Sequence, residues 1–184
     1  QEPLDYPVAL SAEGPIISSV TPTGQLGSRI ALKWTALQAG DSTVQSMLAI
    51  DYAQNWQQFT AALKDFVVPS QNFVYADRAG NIGYYMPGKI PLRNWNAALP
   101  VPADAAHQWS GYIPFAKLPH VYNPASGFIV SANNQVAGPG YPYALNFRWQ
   151  NPPYRAQRIL ALLKNQEPLN LKKMQTIQLD TLSL

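Results

Sequence analysis

The chain has 184 residues, enough to bury a core of its own or to form part of a larger domain. Hydrophobic residues make up 47% and charged residues 12%, about half the usual charged share, which points to surface covered by other protein or to one kept wet by Asn, Gln and Ser. The net charge of +3 comes from 13 basic against 10 acidic residues with Lys172-Lys173 the only basic pair, so no phosphate-neutralising stripe exists and no nucleic-acid partner is expected.

Residues 5–20 alternate and end in Gly14-Pro15-Ile16-Ile17, a turn feeding a short buried strand. Residues 29–34 form a second strand candidate. The first helix is predicted from Asn55, a suitable N-cap, with Trp56, Phe59, Ala62, Leu63 and Phe66 on one face and Pro69 as its stop. Residues 71–87 carry the strongest hairpin signal: Phe73-Val74-Tyr75-Ala76 and Ile82-Gly83-Tyr84-Tyr85, joined through Asp77-Arg78-Ala79-Gly80-Asn81. Residues 88–126, rich in Pro, Asn and Trp, read as an extended loop, and such length goes with function or with wrapping a neighbour. A buried strand is predicted over 127–132, running directly into Asn133-Asn134. A helix over 154–164 follows, with Ile159, Leu160 and Leu163 as its apolar face and Arg155 and Arg158 in its first turns. Asn170 caps a last helix that runs toward Asp180 and reads as cut by the chain's end, just as the opening Gln-Glu-Pro-Leu reads as a start in mid-protein. This order is α+β with mainly antiparallel pairing, not a βαβ series, and it has no interdomain boundary.

Much familiar chemistry is missing. Without cysteine there is no disulfide, thiolate metal site or cysteine nucleophile. The apolar stretches are far too short to span a membrane, so no membrane partner is expected. His107 and His120, thirteen residues apart, match no metal spacing and are expected to be exposed loop residues with no carboxylate placed beside either. There is no G-x-S-x-G elbow, no dinucleotide fingerprint and no Walker loop. Residue rules alone reach a soluble α+β domain. They leave open a non-catalytic interaction module whose exposed aromatics, at 84–85, 95 and 109–112, would contact a ligand or partner.

A series of local phrases in fixed order narrows the choice. It runs from Gly14-Pro15-Ile16-Ile17 through Ala31-Leu32-Lys33-Trp34, Ala53-Gln54-Asn55-Trp56 and Asn72-Phe73-Val74-Tyr75-Ala76-Asp77 to Gly80-Asn81-Ile82-Gly83-Tyr84. It continues with Leu99-Pro100-Val101-Pro102, Trp109-Ser110-Gly111-Tyr112, Asn123-Pro124, Gly127-Phe128-Ile129, Ala132-Asn133-Asn134, Tyr154-Arg155-Ala156-Gln157-Arg158 and Ile177-Gln178-Leu179-Asp180. Together these resemble the penicillin acylase family of N-terminal nucleophile hydrolases, whose members include penicillin, cephalosporin and acyl-homoserine lactone acylases. The resemblance covers nearly the whole chain and is weakest at 1–12 and 135–148.

The resemblance implies part of a four-layer αββα core, and residues 1–184 as one segment from the middle of a β chain. That segment would lack the N-terminal nucleophile strand and the C-terminal remainder. It implies an amide hydrolase made as a self-cleaving precursor, whose N-terminal serine attacks an acyl amide with its own amine as base. The serine is not among these residues, so the segment alone is expected to be inactive. Two candidate catalytic residues carry over. Asn133 matches the asparagine whose side-chain N–H stabilises the oxyanion, and Arg155 matches the arginine that holds it and biases the serine electrostatically. No substrate-binding residue and no metal ligand is assigned. No cofactor is required for the chemistry; members often carry a structural calcium, partly through an aspartate between the asparagine and the arginine, yet residues 135–154 hold no acidic side chain. The implied partners are the remaining α and β chains and a small acyl-amide substrate, and the implied location is periplasmic or secreted. One departure is Ala12-Glu13 before Gly14, where members commonly have Arg or His.

Overall fold

The computed structural model describes residues 7–18, 20, 29–95, 97, 99–145, 152–164 and 169–182. In chain order the elements are β1 (Leu10–Ser11), β2 (Gly14–Pro15), α1 (Thr43–Asp51), α2 (Trp56–Leu63), β3 (Phe73–Ala76), β4 (Ile82–Tyr85), β5 (His120–Tyr122), α3 (Tyr154–Lys164) and α4 (Leu171–Gln178). Tight 3-10 turns occur at Thr35–Leu37, Ala105–His107 and Phe115–Lys117.

The expected hairpin pairs in register, Phe73 with Tyr85 and Tyr75 with Gly83, and β5 adds antiparallel on the far side of β4, setting Tyr122 opposite Gly83 and His120 opposite Tyr85. Directly opposed residues share a sheet face. One face therefore carries Phe73, Tyr75, Gly83, Tyr85, His120 and Tyr122, and α2 packs there. The Asn55 side chain accepts from the Gln58 N–H at 2.9 Å, which starts α2 with its apolar stripe toward the sheet. Trp56 fills the gap over Gly83 and stacks on Tyr122 at 5.0 Å between centroids. Phe59 and Leu63 form the buried core with Tyr85, Ile113 and Leu118. The helix ends at Leu63 and tightens into i→i+3 turns through Phe66, short of Pro69.

Four expectations change. First, α1 lies in a stretch where no helix was predicted. Its most buried residue is Ser46, 1% exposed, whose hydroxyl donates to the Ala62 carbonyl at 2.8 Å; Ile50 packs against the core, while Val44, Met47 and Leu48 face outward. The apolar periodicity thus marks the side this structure leaves open. Second, residues 88–126 are not bare loop. Pro91 bridges to Tyr112, the Tyr85 hydroxyl donates to the Phe115 carbonyl at 2.7 Å, and β5 completes the sheet. Third, 128–132 is half-buried but 127–132 forms no strand, because a strand needs a hydrogen-bonded neighbour and none of the described residues provides one. Fourth, the two early strand candidates shrink. Residues 15–17 and 30–32 are joined by an Ile16–Ala31 bridge and by Ile17 N–H to Ile30 O and Leu32 N–H to Pro15 O, at 2.8 and 2.9 Å.

The hairpin tip is fixed by polar groups. The Asp77 carboxylate accepts from the Tyr75 hydroxyl, the Asn81 backbone N–H and the Asn81 side-chain amide, at 2.8–2.9 Å. Asn123, in the left-handed region at φ 46°, donates to Asn81 Oδ1 and accepts from Ile82 N–H, tying the tip to the end of β5. Large apolar side chains stay exposed elsewhere: Met47 and Leu48 on α1 and Tyr52 just past it, Val74 on the second sheet face, Leu171 on α4 and Leu179 just past it. These open faces are the structural counterpart of the low charged share.

Candidate functional site

Asn133 follows the half-buried segment 128–132 and has φ 57°, a left-handed conformation that Asn tolerates better than most residues. That backbone turns the side chain toward the start of α3. There Arg155 Nη2 donates to Asn133 Oδ1 at 3.0 Å. The atom facing Arg155 must be the amide oxygen, because a guanidinium has donors only. An amide held through its oxygen directs its two N–H donors to the opposite side. Asn134 does something different. Its Oδ1 accepts from Ala132 N–H at 3.0 Å and its Nδ2 donates to the Gln135 carbonyl at 3.1 Å, closing the turn on the backbone. The structure therefore brings together Asn133 and Arg155, and gives the neighbouring Asn134 a local task.

The first turn of α3 carries Arg155 and no acidic residue. A cation at the positive end of a helix dipole is disfavoured unless a partner compensates, and the Asn133 oxygen is such a partner. One turn on, Arg158 meets Asp180 in a two-point ion pair, Nε to Oδ1 at 2.9 Å and Nη2 to Oδ2 at 2.7 Å. Hydrogen bonding from Arg158 holds the Asp180 carboxyl below the usual range and raises the arginine in turn.

Asn133 and Asn134 lie on the wall of a cleft of about 500 Å³, within the usual range for small-molecule sites. Ser70, Gln71 and Asn72 line it too, with Met86, Ile90, Tyr141 and Tyr143 as apolar lining, and among the described residues no charged side chain reaches it. The Ser70 hydroxyl donates to the Pro87 carbonyl at 2.7 Å, and Asn72 accepts from the Tyr84 hydroxyl, so both are held in place. Tyr143 and Leu145 pack against the Phe59–Leu63–Tyr85 core, which ties the segment after Asn133 to the sheet. Sequence reasoning missed the 70–72 wall. No spacing joins it to Asn133; the Ser70–Pro87 and Tyr84–Asn72 contacts, invisible before folding, orient it.

Neither histidine lines this cleft. His120 stacks flat on Tyr85 at 4.9 Å and donates from Nδ1 to the Leu118 carbonyl. His107 corrects an expectation: a carboxylate does lie beside it, with Asp104 Oδ1 2.6 Å from Nδ1. The reason is local, since Asp104 caps the 3-10 turn that contains His107. Hydrogen bonding from His107 holds the Asp104 carboxyl low. The aromatics expected to be exposed also differ. Tyr84 and Tyr85 are buried, Trp95 packs edge-on against His107, and Trp109 lies under Lys33. Lys33 in turn pairs with Glu13 at 2.6 Å, which gives the departure before Gly14 a partner. Among the described residues no three His, Cys, Asp or Glu side chains gather where a metal ion could sit.

The class follows from the fold. A solved structure of a thermostable penicillin G acylase from Alcaligenes faecalis superposes with a TM-score of 0.78 at 23% identity, over 92% of this chain and 30% of that one. The α+β architecture is thus the one this acylase has over the matched part. The sequence model of the penicillin amidase family matches residues 1–184, and the chain belongs to that family. Relatives include the penicillin acylase 2 proenzyme of Pseudomonas sp. (strain SE83), 29% identical over 97% of this chain. The acyl-homoserine lactone acylase QuiP of Pseudomonas fluorescens is 30% identical over 88%, and the penicillin G acylase of Escherichia coli 42% identical over 50%. The chain spans 23% and 20% of the first two relatives' lengths.

Proposed function

We propose that this chain is a β-chain segment of an amide hydrolase that releases an acyl group from a β-lactam, a homoserine lactone or a similar amine. The nucleophile is an N-terminal serine, exposed by self-cleavage of a precursor and lying upstream of these residues. Asn133 donates to the oxyanion of the tetrahedral intermediate, and Arg155 holds the asparagine in the donating orientation. The observation that carries this reading is the 3.0 Å bond from Arg155 to Asn133 Oδ1, at the wall of a cleft that no charged side chain lines among the described residues. A donor fixed before the reaction needs no reorganisation when charge develops, which is why such groups count for so much. The apolar side chains of Met86, Ile90, Tyr141 and Tyr143 in that lining suit an acyl group. The rest of the α and β chains covers the open apolar faces of α1 and α4, and the parent enzyme is periplasmic or secreted.

The test is made in the full-length enzyme with chromogenic acyl amides of varied chain length. Asn133→Gly is the sharper variant, because glycine keeps the left-handed backbone while removing the amide; Asn133→Ala would add strain of about 1–2 kcal/mol. Asn133→Gly is expected to lower kcat by about 100- to 1,000-fold with little change in KM. Unchanged hydrolysis in that variant would sink the oxyanion role.

A further inference from the structure

We infer that Asp180 is a positioning residue of the amide site: it holds Arg158 in a two-point ion pair and so sets the rotation of α3 that lets Arg155 reach Asn133. The inference rests on the oxyanion role proposed above. Arg155 and Arg158 are three residues apart and share one face of α3. They have different partners, an amide oxygen from the turn at 133 and a carboxylate just past α4. A fork-to-fork contact fixes direction as well as distance, which a single bond cannot do. It also matters more here than between tightly packed helices, because α3 and α4 are not packed along one another as α1 and α2 are.

The lever is short. A rotation of α3 by about 20° moves a group at the helix surface by about 2 Å, enough to break the 3.0 Å bond to Asn133. Removing the carboxylate would also release Arg158, one turn from Arg155, as a second cation able to compete for the same oxygen. Asp180 thereby assigns each arginine its place.

A double-mutant cycle in the full-length, matured enzyme tests this, with kcat and KM read separately for Asp180→Ala, Arg155→Ala and the pair. Asp180→Ala is expected to lower kcat about tenfold, with KM within about twofold and Asp180→Glu recovering part of the loss. In the Arg155→Ala background it should cost nothing further. An effect that multiplies in full with Arg155→Ala, or a kcat unchanged in Asp180→Ala, overturns the inference. If Asp180→Ala yields no folded enzyme, the same cycle is read with Asp180→Asn. A crystal structure of the variant separates this inference from the oxyanion role itself. Should Asn133→Gly and Arg155→Ala leave kcat untouched, the oxyanion role is lost. Arg155 Nη2 still within hydrogen-bond distance of Asn133 Oδ1 after loss of Asp180 would instead overturn the positioning role alone.

Discussion

Gly83 has no freedom to change, and the reason is steric, not conformational. A Cβ at this position would come within 2.3 Å of the Trp56 ring, in the middle of a strand whose backbone any residue could adopt. Trp56 is held by Tyr75, Phe59 and Tyr122 on its other sides, so it has little room to retreat. Overpacking a tight core costs about 1–3 kcal/mol. Gly83→Ala is therefore expected to lower the thermal midpoint of unfolding, and pairing it with Trp56→Leu should recover part of the loss. A fully stable Gly83→Ala protein would contradict the packing described. Asn133 is special for a different reason, its positive φ, and that constraint decides which variant isolates its amide.

At the scale of elements, caps and periodicity worked where the buried face and the apolar stripe coincide. The α2 cap is one such case. Asn55→Ala should cost about 1 kcal/mol, readable as a shift in denaturant midpoint at constant m-value, whereas Asn55→Ser should be nearly neutral. Asn170 makes the same contact to the Lys173 N–H at 3.0 Å and capped α4 as expected. Periodicity gave no sign of α1, whose most buried residue is a serine and whose Val44, Met47 and Leu48 point outward, leaving Ile50 as its apolar contact with the core. A start signal was still present in Asp41-Ser42-Thr43. Asp41 accepts from the Thr43 N–H and hydroxyl, and Thr43 accepts from Val67 and Val68 N–H at 3.1 Å. The strand expected over 127–132 failed for a related reason. Composition reports that a segment will be buried, but pairing depends on a neighbour that the segment does not contain.

For the whole molecule, burial of two tyrosines predicts alkaline sensitivity. Loss of solvation pushes the Tyr84 and Tyr85 hydroxyls from their ordinary value of 10.0 up to about 12. Below pH 10 both folded and unfolded chains keep these protons, so nothing is gained or lost. Between 10 and about 12 the unfolded chain ionises and the folded one does not, so stability falls as pH rises through that window. Denaturant midpoints should decline there, less steeply in Tyr84→Phe. Phenolate absorbance from both residues near pH 10 without loss of structure would contradict this.

The sequence by itself determined the local pieces: the 73–85 hairpin, the capped helices at 55 and 170, the α+β class and the family. It also named Asn133 and Arg155, because residue order along the chain is what a family resemblance reads. Only the tertiary structure decided which residues meet. The side chains at 133 and 155 lie 22 positions apart and join at 3.0 Å, Asp180 reaches back the same number of positions to Arg158, and 70–72 lines the same cleft as Asn133. Such contacts depend on how helices and turns pack in three dimensions, and no local propensity encodes that.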